Sequence, residues 1–196
     1  MNLILFERKL SRENYLQDPF DVAKKFLLGA YLCTRIDNKL TVGQISEVEV
    51  YLGAHDKASH TYRYHRSARV ESTYKIGGHA YVFFVYGMHH QLCVVTSEAS
   101  EPNAILIRSV KPVYGIDVMQ QRRSMQSLKN LTNGPGKLCQ AFAVTRKLNG
   151  KDLLGDEIWI APRVEKIPLS RIHATPRIGI PYAEEFILKP WRFILD

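Results

Sequence analysis

Residues 40–52 read Leu-Thr-Val-Gly-Gln-Ile-Ser-Glu-Val-Glu-Val-Tyr-Leu, and Gly53 closes the run. β-Branched residues dominate its second half, so the pattern predicts a strand. Strict alternation puts Ile45, Glu47, Glu49 and Tyr51 on one face and Ser46, Val48, Val50 and Leu52 on the other. The second face is ordinary core. The first carries two carboxylates and a phenol, which either meet solvent or form a site, because burying them without partners is costly. Residues 30–36 form a strand candidate just upstream, and Asp37-Asn38 between the two is turn chemistry, so a hairpin is expected. A second hairpin follows from residues 81–86, the most aromatic run in the chain, and 91–96, joined through Gly87-Met88-His89-His90. Residues 104–110 are a further strand, interrupted by Arg108. A buried arginine needs a carboxylate or phosphate partner, and Glu49 is the candidate. Short strands are expected at 157–161 and 177–180, with 193–195 ending the sheet.

Helical signals are fewer. Asp18-Pro19-Phe20-Asp21 supplies an N-cap, a proline at the first helical position and an acid in the first turn. Val22, Ala23, Phe26 and Leu27 make the apolar stripe, and Gly29 is the stop. Residues 112–123 read as a helix buried through Val113, Ile116 and Met119. Asn133-Gly134-Pro135-Gly136-Lys137 opens another, whose exposed backbone N–H groups beside Lys137 suit a phosphate; the glycine spacing is not that of a P-loop. Residues 1–9 are an apolar-basic arm and 128–133 a polar connector. Residues 61–80 have loop composition, with Arg63, His65, Arg66, Arg69 and Lys75 among Tyr62, Tyr64 and Tyr74. Such interleaving fits either a solvated loop or phosphate and base contacts.

At 196 residues the chain is expected to be one domain, residues 1–196. A net charge of +8 points to a polyanionic partner, nucleic acid before acidic membrane. Cys33, Cys93 and Cys139 lack metal-like spacing and fit a reducing compartment. With no leader pattern and no run of 18 apolar residues, a cytoplasmic, nucleoid-associated protein without a membrane partner is expected. On such a basic chain, a hairpin tip of Tyr86, Met88, His89 and His90 is the kind of wedge that enters a DNA groove and unstacks base steps. Beyond the strand, Ala54-His55-Asp56-Lys57-Ala58-Ser59-His60 returns ionisable groups to the end that carries Glu49 and Tyr51. That convergence reads as a site. The spacing of His55, Asp56 and His60 matches no standard zinc pattern.

Seven blocks, in order, then carry a resemblance: Glu-Val-Glu-Val-Tyr-Leu-Gly from Glu47, Ala-Ser-His from Ala58, Tyr-Val-Phe-Phe-Val-Tyr-Gly-Met from Tyr81, Ile-Leu-Ile-Arg from Ile105, Gly-Pro-Gly-Lys-Leu-Cys-Gln-Ala from Gly134, Pro-Arg-Ile-Gly-Ile from Pro176 and Lys-Pro-Trp-Arg-Phe from Lys189. Together they resemble the alkyladenine type of 3-methyladenine DNA glycosylase, the methylpurine glycosylase family. The resemblance implies an α/β domain of the α+β type, on a curved, largely antiparallel mixed sheet with flanking helices and a protruding DNA-inserting hairpin. It implies a monomer that acts on double-stranded DNA containing alkylated purines, without metal or cofactor, by flipping the nucleotide out and hydrolysing its N-glycosidic bond. It also implies roles. Glu49 would activate the water, with Arg108 and the backbone carbonyl of Ile178 helping to hold it. Tyr51 would stack on one face of the flipped base, and His60 and Phe83 on the other. Tyr86 would fill the gap in the duplex, while Met88, His89, Gly134 and Lys137 would contact DNA. Two positions depart from relatives: Phe83 stands where a tyrosine is found, and Cys93 where some carry an asparagine that excludes the 2-amino group of guanine, which bears on the lesions accepted. Gly77-Gly78 replaces a Pro-Gly. From chemistry alone, two rivals stay open: a carbohydrate glycosidase using the Glu47/Glu49 pair, whose spacing of about 6.5–7 Å overlaps that of inverting enzymes, and a non-catalytic DNA-binding module in which the carboxylates merely neutralise Arg108.

Overall fold

Asp37 and Asn38 both adopt positive φ, 53° and 59°, the pair of left-handed residues that a two-residue hairpin needs. They join β1 (Tyr31–Ile36) to β2 (Lys39–Tyr51) in antiparallel register. The computed structural model describes residues 3–85 and 87–196. Around this hairpin stand β3 (Ala80–Val85), β4 (His89–Thr96), β5 (Asn103–Tyr114), β6 (Ile158–Ala161), β7 (Ile172–Thr175) and β8 (Arg192–Leu195). The order is β3-β4-β5-β2-β1-β6, with β8 pairing both β2 and β7 and every pairing antiparallel. The fold is therefore mixed α/β on a largely antiparallel sheet. At 13 residues β2 is long enough to pair with β5 along one edge and with β1 and then β8 along the other. It is the central beam.

Strict alternation fails inside that beam. Ile45 lies opposite Val110 and Glu47 opposite Ser109, so Ser46 is an inserted residue; Val48 then lies opposite Ile107, so Arg108 is inserted on β5. The two bulges cancel in register but shift parity. Ile45 consequently joins Val48 and Val50 in the main core, and Glu47, Glu49 and Tyr51 keep the other face. The neighbouring strands follow suit. Val82, Leu92, Val94, Ile105 and Ile107 enter the main core, whereas Tyr81, Phe83, Cys93 and Leu106 form a smaller cluster on the opposite face.

The helices cover the core side. Asp18 caps α3 (Pro19–Asp21), its carboxylate accepting from the amides of Phe20 and Asp21. The chain continues as a π-helical turn, Val22–Leu27, rather than the α-helix expected, and stops at Gly29 with φ +76°. Within the opening arm Ile4–Glu7 form α1, and a second short helix, α2 (Arg12–Tyr15), follows it. Phe6 is buried there, and the Trp159 indole donates to its carbonyl at 2.6 Å. Residues 112–114 are not helical: β5 keeps pairing with Val42 and Gly43 as far as Tyr114, so Val113 is a strand residue. Gly115, at φ +69°, breaks the strand and starts α4 (Ile116–Arg123); a Cβ there would lie 2.3 Å from the Leu40 carbonyl oxygen. Helix α5 (Pro135–Ala141) begins where expected. Residues 177–180 are an irregular loop, not a strand, because Arg177 turns inward to an ion pair instead of pairing in the sheet. The basic loop is anchored by the buried Val70 and Tyr74, while Arg63, His65, Arg66, Arg69 and Lys75 stay exposed, Arg66 paired with Glu71. Among the described residues no helix is long and apolar enough to cross a membrane.

Candidate active site

The face of the sheet away from the main core forms the floor of a cavity of about 470 Å³. Tyr51, Phe83, Cys93 and Arg108 rise from β2, β3, β4 and β5, while His60 and Ile178 close it from the loops on either side. The sequence thus marks six residues that the fold brings to one wall, from positions as far apart as 51 and 178. Its size and aromatic lining suit a planar ligand, the usual range for ligand pockets being about 300–1,000 Å³.

Glu49 lies one hydrogen bond behind this wall and is wholly buried. The Ile178 amide donates to Oε1 at 2.8 Å, the Tyr51 hydroxyl donates to Oε2 at 2.8 Å, and Arg108 Nη1 stands 3.3 Å from Oε1. Burial pushes the carboxyl pKa up, and Arg108, the Ile178 amide and the Tyr51 hydroxyl pull against it without cancelling it. The result is a more basic carboxylate than usual. Burial and the Glu49 charge raise the Tyr51 pKa well above 10, so its hydroxyl keeps its proton and remains a donor.

Arg108 has two partners rather than one. Its Nε donates to Glu47 Oε1 at 2.9 Å, closer than its approach to Glu49, and Arg192 Nη1 donates to the same oxygen at 2.9 Å. Glu47 is thus held between two guanidinium groups. This removes the paired-carboxylate arrangement of a carbohydrate glycosidase, because Glu47 is committed to structure and stands on the same strand as Glu49.

His60 packs edge-on against Phe83 with ring centres 4.8 Å apart, and its Nδ1 is 3.0 Å from the Tyr81 hydroxyl. Burial of the ring in the cavity wall and the nearby Arg69 push its pKa down to about 4, so it is a neutral wall residue at pH 7. Cys93 is buried against Tyr81, Phe83 and Leu106 as a free thiol, and burial drives its pKa up, leaving it neutral and a poor nucleophile.

The expected DNA-contacting residues gather beside the cavity. Met88 is exposed on the β3–β4 turn and His89 at the start of β4, with Phe84 and Val85 of that hairpin lining the cavity. His89 lies against Gly136, where an added Cβ would meet its ring at 3.1 Å, so the turn and the start of α5 touch. Lys137 Nζ donates to Asn133 at 3.0 Å and is anchored on the surface beside Gly134. Tyr86 lies outside the described residues. Pattern reading set Arg69 in a basic loop without placing it at the cavity, and it missed Tyr81 and the buried ion pair of Arg177 with Asp56. Tyr81 had a signal, since it alternates with Phe83 onto one face; the pair of Arg177 and Asp56 had none.

Comparison with known proteins agrees with this geometry. The family model described as Methylpurine-DNA glycosylase (MPG) matches residues 13–196. A protein of Clostridium novyi (strain NT) is 42% identical over 196 residues, covering 96% of this chain and 95% of its own length. One of Chlamydia felis (strain Fe/C-56) is 44% identical over 184 residues, and one of Bacillus cereus (strain ATCC 14579) 43% identical over 191, each covering 93% of both chains. All three carry the name "Putative 3-methyladenine DNA glycosylase". With the match running through every strand of the sheet and both walls of the cavity, the chain belongs to the methylpurine-DNA glycosylase family.

Proposed function

We propose that this protein is a monofunctional DNA glycosylase that takes an alkylated purine nucleotide out of duplex DNA into the cavity and hydrolyses its N-glycosidic bond with a water activated by Glu49. Family membership supports the coarser statement: the protein is an enzyme, a DNA-3-methyladenine glycosylase acting in base excision repair. The single observation that carries the finer reading is the buried Glu49, fixed by Ile178, Tyr51 and Arg108 at the back of an aromatic cavity.

An ionised carboxylate offers about four acceptor sites. The Ile178 amide and the Tyr51 hydroxyl take two, and Arg108 faces the carboxylate as an ion pair, which leaves room for a proton of the attacking water. Glu49 accepts that proton while the water oxygen bonds to the anomeric carbon. The bond from that carbon to the purine nitrogen breaks and its electron pair leaves with the base. The sugar carbon becomes cationic on the way, and the adjacent anion stabilises it. An alkylated purine is electron-poor, so Tyr51, Phe83 and the neutral His60 bind it by stacking. A cationic base departs as a neutral one and needs no added proton. Met88, His89, Gly134 and Lys137, with the basic loops, would hold the DNA beside the mouth, and the free protein would act as a monomer.

The test is a duplex carrying one alkylated purine, incubated with the enzyme and assayed for alkali-labile abasic sites, with and without a chelator. Abasic sites at the lesion in both arms are the expected result. DNA binding with no abasic sites would leave a binding module and refute the enzymatic reading.

A further inference from the structure

Arg177 stands next to Ile178, whose amide is one of the two hydrogen-bond donors on Glu49, yet Arg177 itself does not reach the carboxylate. Its side chain and that of Asp56 are both fully buried and face each other, Nη1 at 2.5 Å from Oδ2 and Nη2 at 2.9 Å from Oδ1. Nη1 also donates to the Val50 carbonyl at 2.8 Å. The guanidinium carbon lies 4.5 Å from the centre of the Tyr51 ring and 5.0 Å from that of Trp191. Asp56 accepts in addition from the amides of Leu52 and Ala58. One ion pair therefore ties the end of β2, the turn after it and the loop through residues 177–180.

The loop's ends are held as well, Pro176 by Arg192 Nε on its carbonyl at 3.0 Å and Ile180 by burial against Ala58 and Ala183, but Arg177 is the anchor immediately beside Ile178. The Ile178 side chain is 50% exposed, so its own burial does not place its amide, and Gly179, at φ +79°, follows it. A buried charge pair is a poor device for stability alone, since desolvation offsets much of the attraction. Arg177 Nε even remains without a hydrogen bond among the described residues. What the pair does fix is geometry: Arg177 lies against the back of Tyr51 and adjoins Ile178 in sequence, and both of those donate to Glu49.

We propose that Arg177, clamped on Asp56, is a positioning residue that keeps the Ile178 amide and the Tyr51 hydroxyl on Glu49. The effect on the Glu49 carboxyl follows from geometry alone, whereas the effect on excision rests on the reading of Glu49 as the base. Both donors hold the Glu49 pKa down, so loosening them raises it. The other groups facing Glu49 are Arg108 on β5, Glu47 on its own strand with Arg192 of β8 behind it, and Cys93 on β4. None of these is altered in the test.

The variants are Arg177→Lys, which keeps the charge but loses the planar fork that spans both Asp56 oxygens and Val50, and Asp56→Asn, which keeps shape. The Glu49 carboxyl is titrated by carbon-13 NMR in the full chain, its signal assigned by its loss in Glu49→Gln, and single-turnover excision is followed over the same pH range. Positioning predicts a midpoint raised by about one pH unit in both variants, a tenfold loss of ionised Glu49 below it, with the acid limb of excision moving alongside. Plain through-space electrostatics predicts otherwise: no change for Arg177→Lys, and a fall for Asp56→Asn because a negative charge is removed. An unmoved or lowered midpoint in a folded variant therefore overturns the proposal, even if excision drops. A raised midpoint with an unmoved acid limb supports the clamp and refutes Glu49 as the base instead.

Discussion

Replacing Glu49 by Gln separates the charge of this side chain from its shape. In the native site Oε1 accepts from the Ile178 amide at 2.8 Å and stands 3.3 Å from Arg108 Nη1, while Oε2 accepts from the Tyr51 hydroxyl at 2.8 Å. A carboxamide keeps its oxygen on Ile178 and Arg108 and turns its NH₂ toward Tyr51, whose hydroxyl reverses to accept. Arg108 keeps Glu47 at 2.9 Å, so its charge stays paired. Removing a buried carboxylate also removes its desolvation cost, and folding stability should change by no more than about 1 kcal/mol. On the proposed mechanism, what disappears is the proton acceptor and the anion beside the developing cation. Loss of a general base costs about 10²–10⁴ in rate, which at about 1.4 kcal/mol per tenfold is about 3–5.5 kcal/mol of barrier. Single-turnover excision at saturating enzyme reads the chemical step, and a titration of lesion-bearing duplex reads binding. The expected outcome is a rate loss in that range with binding retained. Excision within a few-fold of normal would refute Glu49 as the base, and a parallel loss of binding would make it a structural residue.

Three further outcomes are expected. A general base works only when ionised, so excision should be full above the raised Glu49 pKa and fall as pH drops through it, with the acid limb above the usual 4.5; His60, neutral down to about pH 4, should add no limb between about pH 5 and 8. A limb near 6.5 that vanishes on replacing His60 would contradict this. Cys93→Asn puts a carboxamide among Tyr81, Phe83 and Leu106, where an unmatched guanine 2-amino group would cost about 1–3 kcal/mol, so the guanine-to-adenine lesion ratio of single-turnover rates should fall by about 5- to 150-fold. An unchanged ratio would exclude this position from selectivity. Gly115→Ala forces a side chain onto the Leu40 carbonyl at a left-handed residue and should destabilise the fold by more than about 1 kcal/mol in denaturant titration; near-native stability would mean the turn before α4 relaxes freely.

Features governed by neighbours in sequence were legible without the structure. Asp18 and Pro19 start their helix because cap and proline act within one turn, and Asp37-Asn38 turns the first hairpin because both residues tolerate positive φ. The aromatic hairpin and the opening of α5 followed from equally local chemistry. Errors arose where a distant partner overrode the local pattern. Pro112 and Val113 looked like a helix start, but Val42 and Gly43 hold that stretch in β5. Residues 177–180 looked like a strand, but the ion pair to Asp56, 121 positions away, turns Arg177 out of the sheet.

The candidate site divides along the same line. The sequence alone named its candidate residues: Glu49, Tyr51, His60, Phe83 and Arg108 stand out by residue type and by the motif blocks that hold them. It did not determine the state of Glu49. That required the bulges at Ser46 and Arg108, which bring the arginine to Glu47 and Glu49 while Ile45 turns into the core. It also required Arg192, 145 residues from Glu47, and the loop that lays the Ile178 amide on the carboxylate. A side chain's identity is written at one position, whereas its ionisation is set by burial and by charges that only the folded chain brings within a few ångströms.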